Sequence, residues 1–375
     1  MAGIYVHIPF CRQKCAYCGF YSVANDEALQ AYTKALTSEI TLRKNECTEL
    51  VETIYFGGGT PSLLDIPNVV NLFETLQKSF VFAENMEITF EGNPESLTKT
   101  YLENLRAYTP VSRLSIGVQS FFEDDLRYLN RKHSPQQAIA AVKNAQDTGF
   151  ERLSIDLIYG IPTLTNAKWQ QNIEQFLALD ISHLSAYALT VEPNTILDKQ
   201  IQKGKIPAPN EDTMAEQYLM LGEQLAKHSF EAYETSNYCK DKHYAKHNSN
   251  YWNLSKYYGF GASAHSFSGV TRSWTIANVE AYISAVNSGT LSVETEHLTE
   301  VMQYNEYVMT AIRTRWGISE AFIKDRFNPK ILAHFQKTIP KIPDEWLRLE
   351  NNHIITTPQG ALFADAIAVK LMISE

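Results

Sequence analysis

Gly3-Ile4-Tyr5-Val6-His7-Ile8-Pro9-Phe10-Cys11-Arg12-Gln13-Lys14-Cys15-Ala16-Tyr17-Cys18 joins a short strand-forming run, residues 4–8, directly to three cysteines spaced C-x3-C-x2-C. Thiolates are soft ligands that suit zinc and iron–sulfur clusters. A structural zinc site closes with four ligands, commonly from two tight pairs. No fourth partner stands nearby, because Cys47 follows a predicted helix and Cys239 is far along the chain. A cube-shaped four-iron cluster on three thiolates leaves one iron open to a small molecule. A zinc knot is the competing use of the same residues.

Outward from this stretch, apolar β-rich runs at 53–56, 87–91, 113–118, 153–159 and 183–189 alternate with amphipathic segments at 26–44, 67–80, 98–108, 135–148 and 168–179. Asp26 and Thr98 read as helix N-caps, and Gly149 stands where a helix ends in a left-handed residue. Such regular alternation predicts an α/β fold with parallel pairing and right-handed crossovers. With six units the expected architecture is a partial (β/α) barrel. A doubly wound open sheet competes, and periodicity alone does not separate the two.

Past Lys199 the pattern changes. Gly204-Lys205-Ile206-Pro207-Ala208-Pro209 reads as a loop, and residues 211–228 as a long helix. The tail is expected to be mainly helical with one β piece at 353–357, after Asn351-Asn352, which fits a smaller winged-helix-like domain. The expected division is 1–270 for the barrel, 271–300 for a connecting segment and 301–375 for the C-terminal domain.

With 44% hydrophobic and 20% charged residues over 375 positions, wholesale disorder and fibrous repeats are excluded. The net charge of -9 argues against nucleic acid as the main partner. Five cysteines, three of them within eight residues, make a poor disulfide framework. No basic segment followed by an apolar run opens the sequence, and no apolar stretch is long enough to span a bilayer. A cytoplasmic location is therefore expected.

The cysteine spacing, its place after the first strand and the β/α alternation resemble the radical S-adenosylmethionine (SAM) superfamily. That resemblance implies a [4Fe-4S] cluster on Cys11, Cys15 and Cys18, whose open iron chelates the methionine part of SAM. Electron transfer to SAM would then yield methionine and a 5′-deoxyadenosyl radical. Gly57-Gly58-Gly59-Thr60-Pro61 lets backbone approach a ligand closely. Glu91 and Asp156 fall at strand ends, where carboxylates can accept from ribose hydroxyls, and Arg131 suits the methionine carboxylate. Taken singly, each of these residues also reads as an ordinary capping or surface group.

Several blocks, in order, are similar to the oxygen-independent coproporphyrinogen III oxidase family: Tyr5-Val6-His7-Ile8-Pro9-Phe10-Cys11, the glycine run, Ser115-Ile116-Gly117-Val118-Gln119-Ser120-Phe121 and Ser154-Ile155-Asp156-Leu157-Ile158-Tyr159-Gly160-Ile161-Pro162. The likeness spans the start of the chain to about residue 270. It implies a SAM site lined by Tyr5, Gly58, Gly59, Thr60, Glu91, Gln119, Arg131, Asp156 and Ala188.

Two departures point to a branch. The oxidases carry a further cysteine two residues after the third, and here that place holds Phe20. They also carry an extended segment ahead of the first strand. In both respects, and in His247-Asn248-Ser249-Asn250-Tyr251-Trp252, which matches H-N-x-x-Y-W, the chain resembles the HemW-type heme chaperones. The resemblance implies heme binding and delivery to acceptor proteins, among them membrane-associated respiratory enzymes, with a homodimer as a further expectation. His247 can offer an imidazole to iron, with Tyr251 and Trp252 as a flat wall; the same segment also reads as a polar turn with Trp252 in the core. His265 is a second candidate and equally a satisfied buried histidine, while His7 is expected to order the cysteine loop. The rival function is oxidative decarboxylation of coproporphyrinogen III in porphyrin biosynthesis. No catalytic residue is assigned from sequence.

Overall fold

In the computed structural model, which describes residues 1–374, the strand–helix alternation becomes a run of parallel strands. Ala2–Ile8 (β1), Val51–Gly58 (β2), Phe82–Gly92 (β3), Arg113–Gln119 (β4), Arg152–Tyr159 (β5) and His183–Ala188 (β6) pair in that order, each parallel to the next. The intervening helices are Leu29–Leu42 (α1), Ile66–Ser79 (α2), Lys99–Tyr108 (α3), Glu123–Tyr128 (α4), Pro135–Asp147 (α5) and Asn166–Ala178 (α6). A doubly wound sheet reverses its strand order at a switch point, because its helices cross to both faces. Here the order runs β1 to β6 without reversal, which is the barrel mode.

After β6 come Ile196–Gln202 (α7), Glu211–Lys227 (α8), Glu231–Ala232 (β7), Asn237–Cys239 (β8), Lys246–Trp252 (α9), Lys256–Phe260 (β9), His265–Phe267 (β10), Thr271–Thr275 (β11), Val279–Asn287 (α10) and Val293–His297 (β12). β9 joins β1 in parallel, and β10, β11 and β12 continue antiparallel beyond it. On the far side β8 and β7 extend β6. Among the described residues this makes a twelve-stranded sheet whose end strands, β12 and β7, do not pair, so the barrel is partial.

Local chemistry explains the boundaries. β4 is buried at all seven positions, as a central parallel strand covered on both faces must be. α5 starts with a reciprocal capping box between Ser134 and Gln137 and has Pro135 in its first turn; Gly149, at φ +83°, follows its end. Thr98 caps α3 through the Tyr101 N–H. Asp26 does not cap α1: the helix begins at Leu29, and the Asp26 carbonyl instead accepts from the Leu29 N–H at 3.0 Å in a preceding turn.

Residues 271–297 are more than the expected connector. β11 and β12 hydrogen-bond into the large sheet, and α10 buries Val279, Tyr282 and Val286 in its core. The physical reason is edge protection: without them β10 would be an open edge.

The rest forms a second unit: Glu300–Ala311 (α11), Ile318–Ser319 (β13), Glu320–Arg326 (α12), Pro329–Thr338 (α13), Leu347–Glu350 (β14), His353–Thr356 (β15), Pro358–Ala361 (α14) and Ala364–Leu371 (α15). Helix, strand, two helices and a hairpin follow one another in winged-helix order, with strands arranged β13-β15-β14. Asn351 and Asn352, at φ 49° and 63°, form the two-residue turn that joins β14 to β15. This unit has its own core, built on Tyr304, Val308, Ile331, Phe335 and Leu371. No helix among the described residues is long and apolar enough to cross a membrane.

Candidate functional site

The carboxyl ends of β1 to β6 open on a cavity of about 720 Å³. The three cysteines reach it from the loop after β1. That loop is pinned by backbone bonds from Cys11 N–H to Val23 O (2.9 Å), Val23 N–H to Pro9 O (2.8 Å) and Ala16 N–H to Leu129 O (3.0 Å). Gln13 Nε2 adds a bond to Asn130 Oδ1 at 2.6 Å. The glycine run at the end of β2 makes room for the loop. A Cβ on Gly59 would lie 2.6 Å from the Phe10 carbonyl oxygen, and one on Gly58, whose φ is +109°, would meet the His7 ring.

Arg131 sits against the cysteines. Its Nη1 donates to Cys15 Sγ at 3.2 Å, and its Nη2 donates to Asn93 Oδ1 at 2.6 Å and to the Gly117 carbonyl at 2.7 Å. Thr60, buried, donates its hydroxyl toward Cys11 Sγ at 3.7 Å. Burial pushes the Cys11 thiol up and the Cys18 thiol to about 11, so both sulfurs call for a cationic partner before they ionise.

Across the cavity, burial raises Glu91 to about 7, with Asp156 adding to the rise, and raises Asp156 to about 6. Tyr55 donates to Glu91, and Ser115 donates to Asp156 at 3.3 Å. Gln119 ends β4 at φ 68°, a left-handed conformation unusual for a non-glycine residue, and lines the same wall.

Cys11, Cys15, Cys18, Gly58, Gly59, Thr60, Glu91, Gln119, Arg131, Asp156 and Ala188 all line this one cavity. Tyr5 does not. It lines a neighbouring cavity of about 660 Å³ and donates to His7 Nδ1 at 2.9 Å. The two cavities share Phe20, Gly58, Glu91 and Tyr187 as common wall. The second is rich in aromatic side chains and is also lined by Glu306, Met309 and Thr310 of α11 in the C-terminal unit. Arg272 of β11 bridges to Glu306 at 2.8 Å.

His247 departs from expectation. Its segment is a helix, α9, whose first N–H groups, on Lys246 and His247, donate to buried Glu87 at 3.0 Å. His247 is 1% exposed, and both ring nitrogens are engaged, with Thr53 Oγ1 at 2.9 Å and Tyr251 OH at 2.9 Å. Positions four apart on a helix face the same way, so this spacing serves a buried hydrogen-bond chain. An axial role for His247 would require breaking it. Tyr251 and Trp252, by contrast, do reach the second cavity.

Sequence reasoning passed over Asn93, which holds Arg131 and also donates to Thr60 at 3.0 Å. Its position two residues past Glu91 at a strand end was the available signal.

The donor set suits the expected groups. Three thiols line one cavity, and thiolates are the ligands that iron–sulfur clusters take. A guanidinium opposite two carboxylates suits a ligand carrying both a carboxylate and hydroxyls.

Comparison with known proteins agrees. Residues 5–176 match the Radical SAM superfamily and residues 298–363 the HemN C-terminal domain. The heme chaperone HemW of Mycobacterium tuberculosis (strain ATCC 25618 / H37Rv) is 32% identical over 376 residues, spanning 99% of this chain and 94% of its own. The heme chaperone HemW of Bacillus subtilis (strain 168) is 30% identical over 374 residues, spanning 98% of each. The solved structure of the Escherichia coli coproporphyrinogen III oxidase (HemN), a radical SAM enzyme, matches with a TM-score of 0.84 at 22% identity, covering 99% of this chain and 90% of that one, which establishes the shared fold. Fold and site thus define the radical SAM class. Within it, the chain belongs to the oxygen-independent coproporphyrinogen III oxidase-like family, with the HemW-type proteins. Membership implies a [4Fe-4S] cluster and SAM.

Proposed function

We propose that this protein is a cytoplasmic heme chaperone, holding a [4Fe-4S] cluster and SAM in the first cavity and heme in the second. Cys11, Cys15 and Cys18 would carry the cluster, which when bound supplies an open iron and an electron. Arg131 would neutralise the methionine carboxylate, and Glu91 and Asp156, once ionised, would accept from the ribose hydroxyls. Gly58, Gly59, Thr60, Gln119 and Ala188 would form the surrounding wall. Heme would pass from here to acceptor proteins, including membrane-associated respiratory enzymes, and a homodimer is part of the same reading.

The observation that carries this reading is the direct junction of the two cavities, with exposed Phe20 on their common wall. An aromatic chamber beside a thiol-lined one suits a flat apolar macrocycle next to a cluster. At Phe20 the decarboxylating oxidases carry a cysteine, and a phenyl ring offers neither a ligand nor a proton donor, which favours carriage of heme over chemistry on a porphyrinogen. The test is anaerobic hemin titration of reconstituted protein, alongside incubation with coproporphyrinogen III, SAM and a reductant. Saturable Soret growth without protoporphyrinogen is expected. Protoporphyrinogen formation would favour the dehydrogenase, and a flat titration would remove the chaperone reading.

A further inference from the structure

Three histidines bear on the second cavity, and they differ in what their nitrogens are free to do. His7 is 4% exposed and engaged on both sides, by the Tyr5 hydroxyl at 2.9 Å and the Tyr21 carbonyl at 3.2 Å. His247 is spent on Thr53 and Tyr251. His265, at the start of β10, is exposed, lines the cavity, and has no hydrogen-bond partner for either ring nitrogen among the described residues. Its ring stacks on Trp274 of the paired strand, with centroids 5.7 Å apart and planes 25° apart, which fixes its plane without using its nitrogens.

We infer that His265 is the axial ligand that the chain offers to the iron of a metalloporphyrin in the second cavity; this rests on the heme reading above. A neutral imidazole is the form that binds iron, and two features favour it at neutral pH. Partial burial lowers the pKa of His265, and the positive charge of Arg272 lowers it further. Other charged groups facing this wall are Glu306, paired to Arg272, and Glu91 and Glu234 on the far side of the cavity. The stacked Trp274 holds the ring ready, so little side-chain freedom is lost when the coordinate bond forms. The C-terminal unit contributes to the same cavity through Glu306, Met309 and Thr310 of α11, with Glu306 bridged to Arg272.

The test compares full-length wild type, His265→Ala and His265→Met in anaerobic hemin titrations, read by optical and electron paramagnetic resonance spectra. Wild type is expected to give an imidazole-ligated spectrum. His265→Ala should bind about tenfold more weakly or worse and lose that signature, and added imidazole should restore it. His265→Met, close in size, should shift the spectrum to thioether ligation. An unchanged spectrum and affinity in both variants would overturn the assignment while leaving the heme reading intact. Absence of saturable binding by wild type would overturn both. Circular dichroism of each variant confirms that folding is retained, as expected for a solvent-facing side chain.

Discussion

The Arg131 guanidinium donates to the sulfur of Cys15 at 3.2 Å while its second nitrogen is tied to Asn93 and to the Gly117 carbonyl. One side chain therefore joins the cysteine loop to the ends of β3 and β4. This cation also lines the first cavity.

Replacing Arg131 should separate SAM binding from cluster assembly. Loss of charged hydrogen bonds of about 1.5–3 kcal/mol corresponds to roughly 10–100-fold weaker SAM binding for Arg131→Ala. Arg131→Lys should recover only part of this, since an ammonium lacks the planar fork. Equilibrium binding on reconstituted protein, with iron and sulfide assayed in parallel, measures both effects.

Gly59→Ala should displace the cysteine loop, because the added Cβ meets Phe10 backbone atoms at 2.6 and 2.8 Å. Iron and sulfide incorporation is expected to fall by half or more. Gly222→Ala on α8 meets nothing within 4 Å and should instead stabilise the fold by about 0.5–1 kcal/mol. Iron content and thermal melts of the two variants distinguish a local clash from a general effect of losing glycine.

Glu91 and Asp156 make the ligand-free protein sensitive to pH. Both are raised from their ordinary values, to about 7 and about 6. The folded state thus binds these protons more tightly than the unfolded state. Their contribution is fully present below about pH 4 and is lost as pH rises through 6 and 7. Glu91→Gln should flatten this fall by about 1–3 kcal/mol, read from denaturant unfolding at pH 5 and 8. SAM affinity should move the opposite way, rising over the same window, since ionised carboxylates are the stronger acceptors.

His247→Ala should act on stability rather than on heme ligation. It removes the ring partner of the Thr53 and Tyr251 hydroxyls, leaving Thr53 only a long 3.4 Å bond from Asn250, and losing a buried hydrogen-bond partner costs about 1–3 kcal/mol. A drop of several degrees in melting temperature with an unchanged heme spectrum is expected. Loss of the axial signature in a folded variant would contradict it.

The order of strands and helices through residue 189 was readable because a parallel strand buried on both faces leaves an apolar run, and each crossover helix leaves an amphipathic one. The short strands β7, β8 and β10 to β13 left no such trace, and the alternation of β14, Leu-Arg-Leu-Glu, covers only one four-residue stretch. Thr271–Thr275, Thr-Arg-Ser-Trp-Thr, has no apolar alternation, and its strand character comes from the edge it covers. The C-x3-C-x2-C spacing, the glycine run and the strand-end carboxylates could be read in one dimension, since each lies beside a strand that aims it.

By itself the sequence determined that three thiols follow the first strand, that parallel β/α units carry them, and that polar groups at the strand ends surround them. Only the tertiary structure decided which histidine is free. His7, His247 and His265 are alike as letters, yet the hydroxyls of Tyr5, Thr53 and Tyr251 and the carbonyl of Tyr21 occupy the nitrogens of the first two. Tyr5 and Tyr251 stand two and four residues away on the same strand and helix, but the second partner of each ring, Tyr21 or Thr53, is brought by the fold, so saturation of a buried imidazole depends on packing as well as on its neighbours in the chain.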